Sequence, residues 1–303
     1  MQSSVLTHEA ITSSYAHVSE TLAEIAQAYF LLGRLKDAQH LLSTALRLLE
    51  AREATPQPRL RLLLLYSQVL IVDHLLTRGE TELMFSIISQ AQQVAEAIQD
   101  PQGRADALSL LGQAHCNATT IASLKSGVSP FVPQGQGRYD EELTTALAYQ
   151  RQALQQREAL NDTRGISESY FLIGLVHERW CLDEQAQDYY ARASQVAEES
   201  GHAFERTEPA RHTALHALKQ GHLEQALPLA LQALKLREEA QFRSYQPLDH
   251  LLIRDIYLAR GDTARAQHHT EAASAIAAEM RMETLVTSMP NIRDILTAKH
   301  KEE

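Results

Sequence analysis

The chain has 303 residues, 44% of them hydrophobic and 22% charged, enough apolar content to fold as one elongated domain or two compact ones. Its net charge of -10 argues against a generic nucleic-acid surface, which needs clustered Lys and Arg to displace counterions along the phosphates. With 9 Pro, 12 Gly and two cysteines, Cys116 and Cys181, the chain carries no disulfide framework, and its abundant Leu, Ala, Gln and Glu favour helix over sheet.

The opening, MQSSVLTHEAITSSY, lacks the basic region and apolar core of a secretory signal. LLLLY, Leu62 to Tyr66, is far short of the roughly 18 to 20 residues that span a bilayer. A cytoplasmic protein with no nucleic-acid and no membrane partner is therefore expected.

Read in order, the chain predicts six helix pairs, at 18–59, 60–100, 103–160, 165–200, 206–240 and 247–280, and a capping segment at 283–299. In the first pair EIAQAYF turns at Gly33 toward Ala45, and in the second Gly79 precedes Ala91 by the same twelve residues. Met84 stands where the second helix of that pair should begin its small residues. LSLLGQAH and YFLIGLVH open the third and fourth pairs, with Gly112 and Gly174 on the apolar face. Cys181 takes the turn position that Gly221 and Gly261 hold in the last two pairs. Gly103, Gly165 and Gly201 are assigned to links between pairs. Pro228, in QALPLALQA, predicts a kink or a late helix start, and Pro290 should break the capping segment.

Four segments, TALAYQRQALQQ, QAQDYYARASQV, QALPLALQALKL and RAQHHTEAASAI, fall into register at a spacing of 40 residues. Ala146, Ala186, Ala226 and Ala266 form one column, and Ala153, Ala193, Ala233 and Ala273 another. The two alanines of each helix lie seven apart, on one face, where small side chains let a neighbouring helix approach. From the helical glycine to the first of these alanines is 12 residues in the fourth pair, Gly174 to Ala186, but 34 in the third, Gly112 to Ala146. An insertion within that pair, about 117–139, accounts for the excess. Within its SPFVPQGQGR stretch Phe131 and Val132 are the large apolar anchors, between Pro130 and Pro133, and Phe131 is expected to dock on the solenoid edge or on a partner.

AQAYFLLGRLKDAQHLLSTAL and ALHALKQGHLEQALPLALQAL resemble tetratricopeptide repeats, with a small residue in the first helix, Gly in the turn and small residues in the second. The 40-residue period exceeds the usual length of about 34. The REAL and REEA endings, 157–160 and 237–240, are similar to long-period arrays of this kind in bacterial regulators and signalling ATPases. The resemblance implies an all-α superhelix of antiparallel pairs whose first helices line the concave face. Counted in helical phase from 112, 174, 214 and 254, that face carries Gln113, Asn117, Phe171, Glu178, Arg179, Arg211, His212, Lys219, Leu251 and Asp255. A non-catalytic protein or peptide scaffold is expected, with self-association through the same residues as an alternative partner. The second reading is a sensory module in which a small ligand or signalling peptide enters the superhelix and controls a transcriptional or signalling partner.

Other chemistry finds little support. PQGQGR follows no strand and lacks GK[ST], so it is no phosphate loop. His212 and His216 are four apart on one helical face, with His177 or His250 as further candidates, but the Glu of HExxH is missing and no metal is expected. Adjacent His268 and His269 face different ways on a solvated surface. Trp180 should pack against its own pair or the insertion. Cys116 has no His and acid partners in sequence and reads as a structural thiol. The Asn117 triplet NAT carries no weight without a signal peptide. No catalytic set and no cofactor motif is present, so no enzyme is expected.

Overall fold

The computed structural model describes residues 8–50, 56–126, 140–283 and 285–288. Within them the chain is all α: α1 (His8–Leu31), α2 (Leu35–Glu50), α3 (Pro56–Thr77), α4 (Thr81–Ala97), α5 (Pro101–Lys125), α6 (Asp140–Leu160), α7 (Thr163–Arg179), α8 (Asp183–Glu199), α9 (Thr207–Lys219), α10 (Leu223–Glu239), α11 (Gln246–Ala259), α12 (Thr263–Glu279) and the short α13 (Leu285–Ser288). Single 3-10 turns at Phe204–Arg206 and Arg243–Tyr245 lead into α9 and α11. Each helix packs on the one before it, in consecutive pairs.

The eight column alanines explain the pairing, since none is more than 2% exposed and each lies where a larger side chain would force the helices apart. Gly112 and Gly174 serve the same contacts from the first helices. A Cβ at Gly112 would come within 2.9 Å of the Ala146 carbonyl, and one at Gly174 within 2.7 Å of the Tyr190 ring. The helices end on left-handed residues that recur with the period: Cys181, Gly221 and Gly261 after first helices, Asn161, Gly201, Gln241 and Arg281 after second helices. Side-chain caps start several of them, with Asp100 accepting from the Gly103 amide, Asp162 from Gly165 and Asp262 from Arg265.

Several boundaries differ from the sequence reading. α1 begins at His8, ten residues before the expected start at 18, and α3 begins at Pro56, where a proline in the first turn costs no hydrogen bond. α5 continues through Lys125, so the first part of the 117–139 insertion is helix. Thr119 donates to the Cys116 carbonyl and Ser123 to that of Thr119, which keeps these polar side chains on their own helix. Phe131 and Val132, like Pro290 and the end of the capping segment, lie outside the described residues. α10 starts at Leu223 and runs through Pro228, so there is no late start. Gly103 and Gly165 sit in the first turns of α5 and α7 rather than in links. In the second pair Arg78, not Gly79, takes the left-handed conformation, while Gly79 leaves room for the Asp73 carboxylate. α3 is long and apolar enough to cross a membrane by length and composition, and its Leu62, Leu63, Val69 and Ile71 are buried in the core.

The pairs curve until the last meets the first. The Ser244 hydroxyl donates to the Phe30 carbonyl at 2.9 Å, and the Phe30 and Phe242 rings lie 5.3 Å apart. Gly33 admits Met280, whose sulfur would lie 2.6 Å from a Cβ there. One core cluster accordingly runs from Ala23 and Ala26 through α3, α4 and α5 to Phe242, Tyr245, Ala277, Met280 and Leu285. The solenoid is a closed ring.

Candidate functional site

Closure of the ring turns the expected groove into a chamber. Its first compartment, about 190 Å³, is lined by first helices and the 3-10 turn before α11: Leu75 of α3, Gln113, Asn117, Thr120 and Leu124 of α5, Phe171, Leu175, Glu178 and Arg179 of α7, and Arg211, His212 and Leu215 of α9 among them. Leu251, Arg254 and Asp255 of α11 complete the far wall. Nine of the ten residues expected on the concave face therefore meet around one cavity. Lys219 is the exception. It closes α9, and its ammonium is held on the neighbouring helix, donating to Asp183 of α8 at 2.9 Å.

The expectation of a solvent-facing groove also needs correction. Asn117, Phe171, Glu178, Arg179, His212, Leu251 and Asp255 are all buried, and the first helices of successive pairs pack on one another. Burial of charge demands pairing, and the pairs are there. Glu178 lies 3.0 Å from Nδ1 of His212 and accepts from the Tyr190 hydroxyl at 3.0 Å. Burial alone would raise its carboxyl, but His212, Lys219 and Tyr190 together outweigh that and hold it at about 2, so Glu178 stays ionised at neutral pH. Arg211 donates to Glu208 at 2.8 Å, Arg179 to Ser123 at 3.3 Å and Arg254 to Asp255 at 2.6 Å.

A second compartment, about 440 Å³, shares Gln113, Phe171, Glu208 and Tyr245 with the first. Its other walls include Phe30 of α1 and Phe204 and Phe242 at the seam of the ring, so ligand here would touch both ends of the solenoid. Two arginines organise the polar side. Arg157 is 2% exposed and donates to Ser109, Ser169 and the Gly165 carbonyl through Nη1, and to Asp106 at 3.0 Å and Glu168 at 2.6 Å through Nη2. A side chain at Gly165 would collide with it. Arg237, fully buried, bonds Asp249 and Glu208 and lies over the Phe242 and Tyr245 rings. Burial opposes its charge, and the two carboxylates more than offset that. Neither role is foreseen from the sequence. Arg157 and Arg237 are the arginines of REAL and REEA, two periods apart, and that recurrence is the available signal.

The remaining candidates fall elsewhere. His216 lies 3.8 Å from Asp183, and among the described residues no group of three or more His, Cys, Asp or Glu is placed to hold a metal ion. His269 is not simply solvated as expected: its Nδ1 lies 2.9 Å from that of His250, and its ring stacks on Tyr257. Trp180 donates to Asp140 across the third and fourth pairs. Burial pushes the Cys116 thiol up to about 12, which leaves it unreactive at neutral pH.

Solved structures with a similar fold include a Rap protein in complex with competence and sporulation factor, at 14% identity and a TM-score of 0.58 over 92% of this chain and 74% of that one. A Rap conjugation gene regulator of plasmid pLS20, in complex with the Phr* peptide, aligns at 15% identity with a TM-score of 0.61 over 89% of this chain. This chain spans 65% of that regulator's length. The chain is a tetratricopeptide-like helical repeat. No protein-family model and no curated protein sequence matches it.

Proposed function

We propose that this repeat is a non-catalytic, peptide-sensing regulatory module of the cytoplasm, which holds a short peptide inside the ring and passes its presence to a protein partner. The observation that carries the reading is the convergence of first-helix side chains on one cavity. Nine residues from α5, α7, α9 and α11 converge on the first of two adjoining compartments, each of a few hundred Å³ or less, the scale of small-ligand sites rather than of a protein interface. Leu175, Leu215, Leu248 and Leu252 supply apolar wall, while Asn117, Arg179, Arg211 and Asp255 supply fixed polar contacts along an extended chain. The two Rap structures sharing the fold are complexes, one with competence and sporulation factor and one with the Phr* peptide, which supports a similar use here. The open scaffold that grips a partner helix on its concave face is the less favoured reading, since closure leaves little room for one.

The test is equilibrium selection. The protein is incubated with a pooled library of four- to six-residue peptides, separated from unbound material by gel filtration, and the bound peptides are identified by mass spectrometry. Enriched sequences should bind one per chain and raise the melting temperature, as ligand at about 100 times its Kd adds roughly 2.7 kcal/mol to the native state. Phe171→Leu should weaken that binding without unfolding the ring. If no peptide is enriched, the reading fails.

A further inference from the structure

Among the described residues, no other helix covers the outer face of α1. Val18 is 46% exposed, Ile25 43% and Leu32, in the turn just past the helix, 52%, and these are three of only six exposed large hydrophobic residues among the described residues. They stand seven residues apart. Thr21 and Ala28, also exposed, fall between them, so the run 18, 21, 25, 28, 32 alternates steps of three and four without a charged side chain. That is the spacing of a helix that packs along its length on another helix. It is not the core face of α1, because Ser19, Ala23 and Ala26 point the other way and are buried. The end of a solenoid ordinarily presents a polar surface, which makes an apolar stripe here a sign of an occupant.

The flanks specify what the occupant should be. On one side stand His17, Glu20 and Glu24, all exposed; on the other Tyr15, Leu22 and Tyr29, half-buried against the ring. The bordering charge is therefore acidic. A second copy is a poor match: antiparallel pairing about Ile25 sets the two Glu24 side chains along one edge, and each chain already carries a net charge of -10. We propose that α1 docks one amphipathic helix of a protein partner, whose apolar stripe is bordered by Lys or Arg. This surface lies outside the chamber and gives the module an output face as well as a ligand site.

Two synthetic peptides of about four heptads test it, both with Ile and Leu on the apolar stripe, one flanked by Lys and the other by Glu. Titrated against the full chain by fluorescence anisotropy, the Lys peptide should bind and the Glu peptide should bind about tenfold more weakly. Val18→Ser with Ile25→Ser should abolish binding while leaving the melting curve in place, because both side chains are exposed. Glu20→Lys with Glu24→Lys should reverse the preference between the peptides. Equal affinities, or binding indifferent to the serine variant, would overturn the proposal. So would a dimer in light scattering that Ile25→Ser dissolves, which assigns the face to a second copy. Binding that appears only after residues 289–303 are deleted would assign the face to the chain's own end and would equally overturn it.

Discussion

Arg237 is a fully buried side chain that ties three helices together. It joins the end of α10 to Glu208 of α9 and Asp249 of α11, and stacks against the two aromatic rings that lie at the seam. Arg237→Ala should lower stability by about 3 to 5 kcal/mol in urea unfolding, since it strands the buried Asp249 carboxylate away from water, while Glu208 keeps Arg211. Arg237→Leu combined with Asp249→Leu should recover most of that loss, because an apolar pair carries no desolvation penalty; a double variant no better than the single would contradict this account. Helical phase is a local property, and it suffices to place Gln113, Phe171 and Leu251 correctly from sequence. It does not place Arg237, because Asp249 and Glu208 approach that side chain only after neighbouring pairs have packed. Lys219 shows the reverse failure, a position in phase whose side chain is held instead by Asp183 of the neighbouring helix.

Elements are legible wherever a small residue or turn repeats every 40 positions, and blurred where the repeat lapses. Sequence alone cuts α5 short at 117 because Ser, Thr and Asn lower helix propensity, whereas burial of Thr119, Ile121 and Ser123 overrides it. The contact between α11 and α12 is invisible for a similar reason: two histidines nineteen positions apart become a pair only through the turn at Gly261. That pair has a pH consequence. Burial first, then the nearby His269 and His268, lower the His250 pKa from 6.5 to about 4. On acidification the unfolded chain takes up this proton before the folded chain does, so stability should decline from about pH 6.5 to about pH 4 and the contribution should level off below that. Melting temperatures across this window should fall less steeply in His250→Leu. His115, His177 and His269 are lowered too and should leave part of the slope in place. An unchanged slope would mean that His250 is protonated in the fold.

At the scale of the whole molecule, closure changes how a repeat protein should unfold. An open solenoid is held by contacts between neighbours alone, so its end pairs fray first. Here α1 and the turn before α11 hold each other through Phe30, Phe242 and Ser244, and α12 reaches back to Gly33 through Met280. The ends are thereby tied into the same cooperative unit as the middle, and nothing in the local repeat pattern announces this, because it depends on the summed curvature of every pair. Phe242→Ala should remove the central ring of the Phe30, Phe204 and Tyr245 cluster at a cost of about 3 to 5 kcal/mol and, more tellingly, should release the ends. In native-state hydrogen exchange the amides of α1, α2 and α12 should then open well ahead of those in α5 to α8, and the urea transition should broaden as its apparent m-value falls. A variant that loses the same stability with every helix exchanging in step would show that the seam adds energy without cooperativity. The ends of the solenoid, not the chamber, bear the difference: a ring opened at Phe242 still contains Glu178, His212 and Arg211 in their pairs, while α1 no longer has a partner across the seam.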